Sequence, residues 1–242
     1  MMRCLARRAG TVSPPPRNLA RAAIFVLAAV FLAAAWTAAH AMTIKKVEGG
    51  EAGVETILLE GKIEGGDALA LQGYIAKLPV AAKIVAHLNS PGGSVAEAIA
   101  AGRVIYKNKV RTVVPSKASC TSACVTVFLG GRDRDTGQPW QLKYSTARVA
   151  VHSFRVEYPE KEYTGIDLNR AVANTLKWVL AYAEYWDEVG ADYEFLYLKW
   201  STSNKDMTFI ANERLLELGI KILDERNGEI IDAKAVRDRI AR

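Results

Sequence analysis

The sequence predicts an α/β fold in which helices cover a parallel sheet. Short apolar, β-branched runs alternate with longer segments of helical periodicity, and no long linker separates them. Strands that alternate with helices are joined by crossovers, which make neighbouring strands parallel. Beyond an N-terminal segment of 41 residues, residues 42–242 are numerous enough to bury the core of a single domain.

The predicted elements follow in a regular order. The turn Gly65-Gly66-Asp67 precedes the first helix, Ser94 is placed to cap the second, and 167–188 contains no proline or glycine. A stripe containing Leu176 and Trp186 on that last helix indicates a core or subunit contact. We predict strands over 54–60, 83–88, 111–115 and 147–152, and helices over 68–78, 95–105, 122–129, 167–188 and 225–242.

The first 41 residues predict export. Five arginines and no acidic residue accompany an apolar run of 18 residues, 22–39, which ends in the small-x-small sequence Ala39-His40-Ala41 of a signal peptidase site. An uncleaved membrane anchor is the alternative, because 18 residues reach the lower limit of a spanning helix. We therefore expect a periplasmic or secreted domain, or one held outside the cytoplasm by its anchor.

The charge of the chain argues against a nucleic-acid partner. The sequence has 32 Lys and Arg against 26 Asp and Glu, and removing the five arginines of residues 1–41 leaves 27 against 26. No basic stripe remains to form an electrostatic footprint for nucleic acid.

Two short motifs carry the chemistry. In Leu88–Val95, LNSPGGSV, Gly92 and Gly93 follow a proline and allow a tight turn with unpaired N–H groups, as an oxyanion-binding loop requires. The later sequence Cys120-Thr121-Ser122-Ala123-Cys124 places Ser122 at the predicted start of a helix, where a serine can act as a nucleophile. His152, at the end of a predicted strand, is the best-placed general base, whereas His87 lies inside a strand and is interpreted as structural.

In order and spacing, these motifs resemble the proteolytic subunit of Clp protease and its relatives in the crotonase superfamily, over residues 54–222. The resemblance is closest to periplasmic Clp-like serine proteases. It implies a repeated β-β-α spiral with a helical C-terminal part, peptide or protein substrates, no cofactor or metal, and a homo-oligomer. It also implies a Ser122–His152 pair and an oxyanion hole formed by the N–H groups of Gly93 and Ala123, with Gly92 assisting the turn.

The resemblance also nominates an acid for a catalytic triad. Asp206 lies before Met207 and a threonine, as the family's acid precedes a methionine turn, although here it directly adjoins the methionine. Asp192 and Asp167 are alternatives.

Cys120 and Cys124 flank Ser122, and their state is left open by the sequence. We favour two small buried thiols, with a disulfide as the alternative in an oxidising compartment. On one helix the side chains of the two cysteines would be poorly aimed at each other, whereas a Cys120 just before the helix would ease the bond. The sequence has no further cysteine pair and no histidine cluster, so it does not predict a zinc site.

Several alternative chemistries remain open. A lysine base, Lys117 or Lys109, would resemble signal peptide peptidase A-like proteins, and Ser116 and Ser119 are competing hydroxyls. A crotonase-type acyl-CoA enzyme would use Glu97 as its base, although coenzyme A is not expected outside the cytoplasm. A catalytically inactive Clp-like assembly protein is the third alternative.

Overall fold

The computed structural model describes residues 42–49, 52–154 and 162–233, all within one compact unit, His40–Arg242. These residues form a mixed α/β structure with ten strands and six helices. The strands are β1 (Thr43–Val47), β2 (Val54–Glu60), β3 (Lys83–Asn89), β4 (Arg111–Val114), β5 (Ser119–Thr121), β6 (Gln141–Tyr144), β7 (Arg148–Val151), β8 (Thr208–Phe209), β9 (Lys221–Asp224) and β10 (Glu229–Ile231). The helices are α1 (Asp67–Ile75), α2 (Val95–Lys107), α3 (Ala123–Leu129), α4 (Gly165–Glu188), α5 (Tyr193–Ser201) and α6 (Asn212–Glu217).

The larger sheet has seven strands in the order β1-β2-β3-β4-β6-β9-β10. Its five central strands are parallel, and β1 and β10 add antiparallel edges. The predicted parallel sheet covered by helices is therefore confirmed for the centre of the molecule. Within the segment 225–242, predicted as a helix, the structure has the strand β10, and residues 234–242 lie outside the described part.

A second, smaller sheet contains β5, β7 and β8, with β5 parallel and β8 antiparallel to β7. Parallel bridges extend this layer, since Ser90 pairs with Cys120 and Ile63 pairs with Gly93. In four successive segments, a strand of the large sheet leads to a short stretch in this layer and then to a helix. The segments begin with β2, β3, β4 and β6, and their helices are α1, α2, α3 and α4.

The long helix α4 is buried only near its C-terminal end. Tyr182, Tyr185 and Trp186 are fully buried, and the Tyr185 hydroxyl donates to the backbone oxygen of Thr126 in α3 (2.7 Å). That hydroxyl lies directly against Gly102 of α2, where a Cβ atom would overlap it. The glycine therefore lets three helices pack closely, whereas the N-terminal half of α4 remains exposed.

The predicted export segment, residues 1–41, lies outside the described residues. Within the part of the chain that the structure describes, no helix combines the length and hydropathy needed to cross a membrane.

Candidate active site

Ser122 occupies a sharp turn between β5 and α3. Its backbone has φ 58° and ψ −120°, a sparsely populated positive-φ conformation that costs a residue other than glycine about 1–3 kcal/mol. Its N–H donates to the oxygen of Ala150 on β7 (2.9 Å), but its hydroxyl neither caps α3 nor bonds to any described residue. The helix was predicted to begin at Ser122, and in the structure it begins one residue later, at Ala123. Strain at a residue with a free hydroxyl is typical of functional positions.

The glycine turn packs directly against this serine. A Cβ atom on Gly92, whose φ is +91°, would lie 2.7 Å from both the Thr121 oxygen and the Ala123 nitrogen. The Gly92 N–H donates to Ser90 Oγ (3.0 Å), which holds the turn in shape. Only a residue without a side chain allows the two backbone segments to approach so closely.

Two backbone donors, one in the glycine turn and one directly after Ser122, are unpaired among the described residues. The N–H groups of Gly93 and Ala123 have no acceptor among the described residues, whereas the neighbouring Ser94 N–H donates to the oxygen of Ile63 (2.8 Å). Gly93 is also exposed to solvent. Two free N–H groups on either side of a serine can stabilise a developing oxyanion.

The smaller sheet brings His152 beside Ser122. Thr121 and Ala150 are paired in the parallel ladder of β5 and β7, so Ser122 and His152 follow neighbouring strands at the same edge. Neighbouring strands lie about 4.8 Å apart. Sequence order alone did not establish this proximity, which follows from the register of the two strands.

The environment of His152 favours a neutral imidazole. Burial lowers its pKa below the usual value, the backbone of Ser153 opposes that shift, and the charge of Lys199 adds to it. Its Nδ1 atom is buried and has no hydrogen-bond partner among the described residues. A neutral imidazole can accept a proton, which a general base must do.

None of the three nominated carboxylates is hydrogen-bonded to His152. Asp206 is exposed in a turn where its N–H donates to the oxygen of Ser203 (3.2 Å). Asp192 accepts from the Glu194 N–H at the start of α5 (2.8 Å), and Asp167 accepts from Thr164 at the start of α4 (2.6 Å). The register of β5 and β7 therefore brings the backbones of Ser122 and His152 near each other, but no hydrogen bond joins their side chains, and Asp206 bonds to neither.

The structure joins Cys120 and Cys124 in a disulfide rather than leaving two free thiols. Their Cα atoms are 5.2 Å apart, and both side chains are buried. Cys120 belongs to β5 and Cys124 to α3, so the bond connects the strand to the helix across the Ser122 turn. A Cys120 that lies before the helix is the arrangement for which the sequence predicted a more favourable disulfide geometry.

The competing lysines and histidine have other surroundings. Lys117 and Lys109 are exposed, so neither has the burial that a lysine base requires. His87 lies within β3, between Leu58 and Val113 of the neighbouring strands, and burial lowers its pKa. This position inside the sheet agrees with the interpretation of His87 as a structural residue.

The competing acid and hydroxyls are engaged elsewhere. Glu97 accepts from the N–H groups of Gly66 (3.1 Å) and Ala68 (2.7 Å), so its carboxylate caps the start of α1. Ser119 accepts from Arg148 Nε (3.2 Å), and Ser116 shares a hydrogen bond with Thr146 (3.2 Å). Of the three serines in the segment 116–122, Ser122 is therefore the one whose hydroxyl bonds to no described residue.

A groove of about 430 Å³ lies alongside the glycine turn. Met207 and Phe209 of the β8 segment are exposed there, and Arg148 of β7 lies over the Phe209 ring, 5.8 Å from its centroid. Pro91 and Thr121, which directly precede Gly92 and Ser122, also line the groove. Sequence analysis missed this groove because β8 has only two residues, too few for a periodic pattern.

Lys199 was also missed by the sequence analysis. It lies on α5, and its side chain is almost entirely buried near His152. Lysine in a short charged segment normally indicates an exposed position, so no sequence pattern distinguished it.

Within the described ranges, no cluster of three histidine, cysteine or acidic residues could hold a metal ion. A scan against protein-family models gives no match to this chain, and a search of curated proteins gives no significant match.

Proposed function

We propose that this protein is an exported serine peptidase of the Clp-like type. His152 takes the proton of the Ser122 hydroxyl, and Ser122 Oγ attacks the carbonyl carbon of a peptide bond. The N–H groups of Gly93 and Ala123 stabilise the tetrahedral oxyanion. His152 then protonates the leaving amine, and a water molecule hydrolyses the acyl-enzyme by the same steps in reverse order.

One observation carries the proposal: a serine with a positive φ, whose hydroxyl bonds to no described residue, packs against the glycine turn and directly follows the strand that pairs with the one leading to His152. A serine that only packed a helix against a sheet would not need a left-handed backbone. Acyl transfer needs both the nucleophile and the oxyanion donors at one point.

A repeated β-β-α spiral is part of the proposal. Four consecutive strand–strand–helix segments, with parallel neighbours in both layers, support it. In such a spiral each turn stacks on the previous one, which explains why Gly92 reaches the Ser122 turn of the next segment.

We propose an extended peptide as the substrate and a second copy of the chain as a partner. The groove beside the glycine turn is open and has both apolar and polar walls, which suits a peptide. The N-terminal half of α4 exposes Val172 (59%) and Leu176 (56%), and a self-complementary contact would cover them. We also propose that the protein is exported, with residues 1–41 either cleaved or retained as a membrane anchor.

An inactive assembly protein is the second candidate function. Among the described residues, no carboxylate is hydrogen-bonded to the buried Nδ1 of His152, and Asp206 is exposed. The acyl-CoA alternative is less well supported, because its proposed base, Glu97, caps α1.

The test is labelling of the full-length protein with a fluorophosphonate probe. Wild type is expected to be labelled, Ser122→Ala to be unlabelled, and His152→Ala to be labelled far more slowly, because the serine loses its base. Ser119→Ala is the matched control, since this second hydroxyl of β5 bonds to Arg148 and should be dispensable. A folded wild type that is never labelled would overturn the peptidase and favour the assembly protein.

A further inference from the structure

The groove beside the glycine turn contains a single charged side chain. Among the described residues that line it, Arg148 is the only charged one, and the others are neutral polar or apolar. A groove that carries one sign of charge favours a ligand of the opposite sign. The charge of Arg148 therefore bears on which peptides the groove accepts.

Arg148 lies on the same face of the smaller sheet as the residue before the nucleophile. Side chains alternate between the two faces of a strand, and Ser119 and Arg148 are paired across β5 and β7. Thr121, two residues after Ser119, therefore lies on that face as well. The opposite face carries the buried Cys120. The outer face of this sheet thus leads from Arg148 to the Ser122 turn.

The sheet also sets the distance between Arg148 and the nucleophile. Thr121 is level with Ala150 in the register of β5 and β7, so Ser122 is level with the residue after Ala150. Arg148 lies three residues before that level, which is about 10 Å along the strand. An extended peptide that runs along the strands advances about 3.3 Å per residue. Arg148 is therefore opposite a substrate residue two or three positions from the bond that Ser122 attacks.

Only part of the Arg148 guanidinium is engaged within the protein. Its Nε atom donates to Ser119 Oγ (3.2 Å), and its Cζ atom lies 5.8 Å from the centroid of the Phe209 ring. The two terminal nitrogens, Nη1 and Nη2, have no acceptor among the described residues, and the side chain is exposed. These nitrogens form a planar fork that matches the two oxygens of a carboxylate.

Several other arginines of the described part are already paired with carboxylates. The pairs are Arg103 with Glu188, Arg111 with Asp133, Arg214 with Glu194 and Arg226 with Asp224. Arg148 forms no such pair with a described residue. Its capacity for an ion pair therefore remains available to a ligand in the groove.

We propose that Arg148 is a specificity-determining residue that selects peptides with an acidic side chain two or three residues from the scissile bond. The fork of Nη1 and Nη2 binds the carboxylate of glutamate or aspartate, while the bond from Nε to Ser119 holds the guanidinium in place. Because the groove is open, an internal side chain can reach Arg148 while the peptide continues past it. The role in cleavage rests on the proposed function, whereas binding of an acidic peptide in the groove does not.

Binding of short peptides to full-length Ser122→Ala tests the proposal without cleavage. The probes are peptides of alanine and serine, capped at both ends, that contain either one glutamate or glutamine in its place, and NMR chemical shifts follow binding. The glutamate peptide is expected to bind about three- to fivefold more tightly, as a well-formed exposed ion pair allows, and high salt should reduce the difference. Adding Arg148→Gln should abolish the difference, and Arg148→Lys should retain part of it. Lys107→Gln, which removes the same charge at the exposed end of α2, is the matched control and should leave the difference unchanged.

Cleavage by the protein with Ser122 intact locates the contact. When the glutamate is moved through the peptide, kcat/KM should be highest with glutamate two or three residues from the cleaved bond. Arg148→Glu should change the preference at that position from glutamate to lysine. No binding, equal binding of the two peptides, a preference that survives Arg148→Gln, or a gain only from a free C-terminal carboxylate overturns the proposal. Preferential binding of the glutamate peptide by a protein that is never labelled and cleaves nothing refutes the peptidase but retains the role of Arg148 in binding.

Discussion

Replacing Gly92 by alanine is expected to destabilise the protein and disable Ser122 together. The new Cβ atom would lie 2.7 Å from two backbone atoms of the Ser122 turn and 2.8 Å from the Ser122 Cβ. Backbone atoms held by a sheet cannot move aside as a flexible side chain would. The contact must therefore be relieved by displacing either the glycine turn or the serine.

The expected loss in the free energy of unfolding of Gly92→Ala has two parts. A left-handed backbone at φ +91° costs alanine about 1–2 kcal/mol, and overpacking of this kind costs about 1–3 kcal/mol more. We therefore expect Gly92→Ala to lower the free energy of unfolding by about 2–5 kcal/mol. Gly66→Ala isolates the first part, because Gly66 has φ +99° and no atom within 4 Å of its Cβ position.

Urea unfolding of both full-length variants measures the difference, which we expect to be about 1–3 kcal/mol in the midpoint-derived free energies. The fluorophosphonate labelling rate should fall by about tenfold or more in Gly92→Ala, because a small displacement misaligns the nucleophile. Gly66→Ala should label normally. Equal stabilities and equal labelling rates in the two variants would refute the close approach of the glycine turn to Ser122.

Three further predictions concern the disulfide, an acidic side chain and the exposed helix. Replacing Cys120 and Cys124 by alanine should lower the free energy of unfolding by about 2 kcal/mol through chain entropy, and so should reduction of wild type; urea unfolding measures both. Both changes should also slow the labelling of Ser122 by the fluorophosphonate probe. Burial alone would raise the pKa of Asp133, but hydrogen bonds from the Thr136 backbone and from Arg111 lower it to about 2. The stability that Asp133 contributes is therefore present above about pH 4 and lost towards pH 2, so Asp133→Asn should flatten that pH dependence by about 2 kcal/mol. Leu176→Glu should shift sedimentation towards monomer, because it charges an exposed apolar position of α4.

Each of these predictions has a contradicting outcome. Reduction that changes neither stability nor labelling would mean that the Ser122 turn holds without the Cys120–Cys124 bond. An acid unfolding profile of Asp133→Asn that matches wild type would remove the proposed contribution of that carboxylate. Asn174→Glu, a second exposed position of α4, is the control for charge alone, and equal sedimentation of the two α4 variants would argue against a specific apolar contact at Leu176.

Local patterns predicted much of the secondary structure. The strands β2, β3, β4 and β7 and the helices α1 to α4 fall where periodicity placed them, and Ser94 accepts from the Glu97 N–H at the start of α2 (3.4 Å). The strands β1, β5, β6, β8 and β9 and the helices α5 and α6 were not predicted. With three and two residues, β5 and β8 form strands only through their partners. The helix predicted over the tail was wrong at Glu229–Ile231, where pairing with β9 outweighs helical propensity.

By itself, the sequence determined the local parts of the site. A glycine turn and a serine before a helix are consequences of neighbouring residues, so Gly92 and Ser122 could be recognised without a structure. The tertiary structure decided which distant groups meet. Strand register places His152 beside Ser122, while packing buries Lys199 and leaves Asp206 in solvent. Such contacts depend on the relative positions of segments far apart in the chain, which hydrophobic periodicity does not encode.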